Sequence, residues 1–90
     1  MKLEKATDGK HKYVAIFDDG QRVPFGASGY TDITRGADQE QRARYLARHR
    51  SNENWSNPRT PASLAKHILW GENRSVEANL RAFKRRFRLD

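Results

Sequence analysis

Ninety residues, 36% of them hydrophobic and 32% charged, bound one small domain with a thin stability margin and no room for a second core. The absence of cysteine excludes a disulfide frame and a thiolate metal site, and no apolar run approaches the ~20 residues of a membrane span, so no membrane partner is expected. The formal charge of +7 is uneven: residues 1–35 hold six Lys/Arg against five Asp/Glu, whereas residues 36–90 hold twelve against six, mostly arginine.

Residues 1–26 read as β-structure. Asp19-Gly20 is a strong signal for a two-residue hairpin turn, because glycine tolerates positive φ and aspartate does so better than most residues. Centred there, the turn pairs Phe17 with Arg22, Ile16 with Val23 and Val14 with Phe25, placing Val14, Ile16, Val23 and Phe25 on one face. Asp8-Gly9 offers a second such turn, which pairs Leu3 with Val14 and adds Leu3 to that face. Pro24 cannot donate a ladder hydrogen bond, so its strand belongs at an edge. Residues 26–37 read as a loop; a turn out of the edge strand explains their glycines better than a phosphate cradle, since the P-loop ending is missing.

Asp38 to Gln41 has the Asp-x-x-Gln form of a capping box, so a helix is expected to about residue 50. Residues 51–59 form a polar connector. Thr60-Pro61 marks the next helix start, Leu64, Ile68 and Leu69 its buried stripe, and Gly71 its stop. Ser75 caps a last helix. On its wheel Val76, Leu80, Phe83 and Phe87 fall within about 60° of one another. Arg81, Arg85 and Arg88 share a different face with Lys84 at its edge. The expected fold class is α+β: an antiparallel meander of two or three strands, then three short helices packed on one sheet face, in a single basic domain.

The two basic helices are the leading functional candidates. Arg42, Arg44, Arg48 and Arg50 on the first, with Arg81, Lys84, Arg85 and Arg88 on the last, suit phosphate contacts, because arginine presents a planar fork of donors. Tyr45 and His49 share a side with Arg42 and are placed either to stack on bases or to pack locally; Trp55 in the connector is an interface anchor or a lock for its own loop. Two blander readings stand beside this one. The charge gives a soluble surface, or the arginines are neutralised by Glu40, Glu53, Glu72 and Glu77. Trp70, closing an apolar helix, reads as core. Catalysis has little support: His11, His49 and His67 lie in different elements, and no nucleophile comes with an obvious base. No enzyme activity, metal or cofactor is expected.

Three stretches carry a family resemblance: Phe25-Gly-Ala-Ser-Gly-Tyr-Thr-Asp-Ile-Thr34, Arg42-Ala-Arg-Tyr-Leu-Ala-Arg-His49, and Glu53-Asn-Trp-Ser-Asn-Pro-Arg-Thr-Pro-Ala-Ser-Leu64 with Ile68-Leu-Trp70. Together they resemble small, basic, uncharacterised proteins of the nucleocytoplasmic large DNA viruses of algae and protists. The resemblance implies a viral setting and no catalytic residues. It makes two roles the expectations: a nucleic-acid binder, with DNA ranked before RNA, or a minor capsid or scaffold component that binds acidic virion proteins. The expected location is the virion or the host cell interior; the first six residues lack a secretory signal's apolar stretch, so Asn54-Trp-Ser56 and Asn73-Arg-Ser75 read as chance glycosylation matches.

Overall fold

The computed structural model describes residues 1–50 and 55–89; the expectations for residues 51–54, Glu53 as an arginine partner among them, lie outside the described residues. Strands β1 (Lys2–Lys5), β2 (His11–Ile16) and β3 (Arg22–Ala27) form an antiparallel meander in the order β1-β2-β3. Pro24 does lie in an edge strand.

The register differs from the expected one by a single residue. Ala15 faces Val23, Tyr13 faces Phe25, and Leu3 faces Ala15. The shift is visible in the second turn. The Phe17 N–H donates to the Gln21 carbonyl at 2.9 Å, so Asp18, Asp19 and Gly20 make a three-residue loop. Gly20 alone takes the left-handed conformation, at φ 89°, whereas a two-residue turn would put Asp19 at positive φ as well. The first hairpin shifts equally: Asp8 Oδ1 accepts from the backbone N–H groups of Lys10 and His11, and the Ala6 N–H reaches the Lys12 carbonyl. A one-residue slip turns over every side chain of β2 relative to its neighbours. Ala15 and Phe17, with Tyr13 packed beside them, therefore join Leu3, Val23 and Phe25 on the core side, and Val14 and Ile16 leave it.

The segment read as a loop contains a 3-10 turn, Ile33–Arg35, capped by Asp32. The Asp32 carboxylate is fully buried. It accepts from the backbone N–H and hydroxyl of Thr34 and pairs with the Lys12 ammonium at 2.6 Å, itself buried.

Helix α1 (Gln39–His49) begins at the expected capping box, with Asp38 and Gln41 each satisfying the other's backbone N–H. Helix α2 (Pro61–Leu64) starts on the Thr60 cap and runs directly into a π turn, Ala65–Leu69, closed by the Trp70 N–H on the Ala65 carbonyl. Helix α3 (Val76–Phe87) is capped by Ser75 and ends on Arg88, whose φ is 56°. The core joins the sheet to Leu64, Ile68, Leu69 and Phe83. Val76, Leu80, Trp70 and Phe87 pack against it half-buried, so α1 alone among the helices buries no residue.

Gly71 ends the second helical segment as expected, though not through positive φ. A Cβ there would stand 2.3 Å from the His67 carbonyl oxygen and 2.8 Å from the Asn79 amide. Asn79, buried in α3, donates to the carbonyls of Ile68 and Asn73 and accepts from the Asn73 N–H. It supplies a partner for a carbonyl of the π turn and clamps α3 to residues 71–75, which is why the chain must pass close by.

Candidate nucleic-acid interface

The basic residues of α3 divide between two directions. Its core stripe fixes Arg81 and Arg85 on the outer side, where both are exposed. Arg88 is exposed too, but it stands beyond the helix in the left-handed region and does not extend that row as helical spacing would. Arg86 lies on the other edge of the stripe. With Arg42 of α1 and Lys66 of the π turn it lines a cleft of about 210 Å3. Three elements thus bring three cations to one opening. Arg42 is held there because its Nε donates to the Trp70 carbonyl at 2.9 Å. Lys66 lies over the Trp55 ring, its Nζ 5.2 Å from the centroid.

The cleft carries a positive field. Burial, then Arg86 and Arg42, push the Lys66 ammonium below its ordinary value of 10.5, with Glu72 pulling the other way. His67 on the same wall is also lowered from 6.5, first by burial and then by Lys66 and Arg86, while its bond to the Trp55 carbonyl opposes the shift. Each protonated group there raises the cost of the others. An anion in the cleft would relieve that cost.

Neutralisation within the fold is partial. Arg44 pairs with Glu40 at 3.0 Å. Arg59 bridges Asp19 and Gln21 and lies over Phe17, and Arg74 donates to the carbonyls of Ile33 and Ala37, so both serve the fold. Among the described residues, Arg48, Arg50, Arg81, Lys84, Arg85, Arg86 and Arg88 form no ion pair, and neither Glu72 nor Glu77 takes an arginine.

On the other flank of α1 lies a larger groove of about 590 Å3, reached by Arg44, Tyr45, Arg48 and His49. Tyr45 stacks on Trp70 with centroids 4.5 Å apart and planes 7° from parallel, and meets the His49 ring at a tilt, 4.3 Å away. Trp70 is thus half core and half groove wall. Trp55 sits elsewhere: its carbonyl accepts from Ser63 Oγ and His67 Nε2, which ties Trp55 to the second helical segment.

Lys66 and Arg86 were absent from the expected interface. A cation in an otherwise apolar helix was the available signal for Lys66; for Arg86, only the packing of α3 against the π turn identifies it. No group of three or more potential metal ligands occurs among the described residues, and no helix among them is long and apolar enough to cross a membrane.

Fold and surface together define a small α+β protein with clustered, largely uncompensated arginine. Residues 1–49 match a family of unknown function, DUF5754; this is more than half of the chain, and the protein belongs to that family. No curated protein and no solved structure shows significant similarity to it.

Proposed function

We propose that this protein is a non-enzymatic binder of nucleic acid that holds the phosphate backbone without reading sequence. The observation that carries the reading is the convergence of Arg42, Lys66 and Arg86 from three elements on one cleft; Arg81 and Arg85, exposed and without ion pairs among the described residues, face another direction. Most of the cations are guanidinium forks, suited to two oxygens of one phosphate where a lysine offers only a point charge. The viral resemblance, which runs from about Lys12 to Phe87, makes a virion genome one target to test.

Labelled duplex titrated at several salt concentrations tests this. Three or more phosphate contacts give a slope of log affinity against log salt of about −3 or steeper. A flat response, or no binding at low salt, would falsify the reading.

A further inference from the structure

The geometry points to a preference for single strands: the groove beside α1 receives an unpaired nucleobase, while Arg48 meets a flanking phosphate. This deepens the phosphate-binding reading and rests on it. The groove's volume, about 590 Å3, suits a nucleotide-sized ligand. Its walls combine the two features that single-strand binding needs, aromatic faces and cations. On one side Tyr45 is already engaged by Trp70 and His49, so it braces an aromatic wall while the open ring must come from elsewhere. From the loop after β3 comes Tyr30, 73% exposed and the one large hydrophobic side chain left so open among the described residues. Core packing gives no reason for a tyrosine there, and a base offers its ring a partner. Arg48 has no ion pair among the described residues, whereas Lys12 in the same groove is held by Asp32 and is not available to a phosphate. A paired base, already stacked and edge-bonded in a duplex, cannot present itself to such a groove without leaving its helix.

The test uses the full chain at low salt, with an oligothymidylate and an abasic oligomer of equal length and charge, read by tryptophan fluorescence and by competition. The base-bearing strand is expected to bind about tenfold or more tightly. Tyr30→Ala removes most of that advantage, leaves the affinity for the abasic strand in place, and melts like the unaltered protein. Equal affinity for the two oligomers overturns the groove assignment and leaves the phosphate reading standing. An advantage that survives Tyr30→Ala also overturns it, as does polyglutamate binding as tightly as oligothymidylate. Failure to bind either oligomer removes the phosphate reading and the groove with it.

Discussion

Asp32→Ala offers the sharpest test of how the fold is held. The substitution leaves the Lys12 ammonium, 5% exposed, without the carboxylate 2.6 Å away. Removing one partner of a buried pair costs about 3–5 kcal/mol, because the remaining charge stays desolvated. Losing the cap on the Ile33–Arg35 turn adds about 1 kcal/mol. A domain of this size has a total stability of roughly 5–13 kcal/mol, so the variant should lose a third or more of it. At about 4–8 °C per kcal/mol, its thermal midpoint should fall by at least about 16 °C. Circular dichroism during thermal and urea unfolding measures both quantities. Adding Lys12→Met to Asp32→Ala should recover part of the loss, since the stranded charge is then gone. A midpoint within about 3 °C of the unaltered protein would show that water reaches the pair and that the burial argument is mistaken.

Other perturbations probe the remaining contacts. Gly71→Ala places a Cβ against the His67 carbonyl and the Asn79 amide and should cost about 1–3 kcal/mol in urea unfolding; a neutral effect would mean that residues 71–75 yield easily. Asn79→Leu removes the partners of two carbonyls and one N–H and should destabilise by about 1–3 kcal/mol despite its apolar gain, with an unchanged urea midpoint counting against the clamp. The folded state holds His67 below 6.5, so the unfolded chain takes up the proton first; stability from this residue is complete above that pH and declines as pH falls toward the folded value. His67→Gln should flatten that part of the pH dependence, measured between about pH 7 and 5.5, and an identical slope in the variant would refute the assignment. Replacing Arg81 and Arg85 together by Ala should make the salt slope of duplex binding shallower by about 2; an unaltered slope would leave the outer side of α3 out of the interface.

Local chemistry made much of this protein legible from residues alone. The Asp38 box, the Thr60-Pro61 start and the Ser75 cap are short-range devices whose partners lie three residues on, so helix beginnings follow from composition and spacing. The apolar stripes of α2 with its π turn and of α3 are likewise periodic. Sheet register was different. Asp18-Asp19-Gly20 and Asp19-Gly20 are alternative loops over the same residues, and their difference of one residue exchanges Val14 and Ile16 for Tyr13 and Ala15 on the core side. Packing chooses between them, because both alternations in β2 are apolar enough to bury. The interface shows the same division. Charge counting located the excess in the later residues and named Arg42, Arg44 and Arg48. Helical spacing already sets Glu40 four residues before Arg44, but it could not reveal that Trp70 anchors Arg42 or that Arg86 lines one cleft with Lys66. Those pairings depend on how α1, the π turn and α3 approach one another, a relation between elements distant in the chain that only the close packing around Gly71 and Asn79 decides.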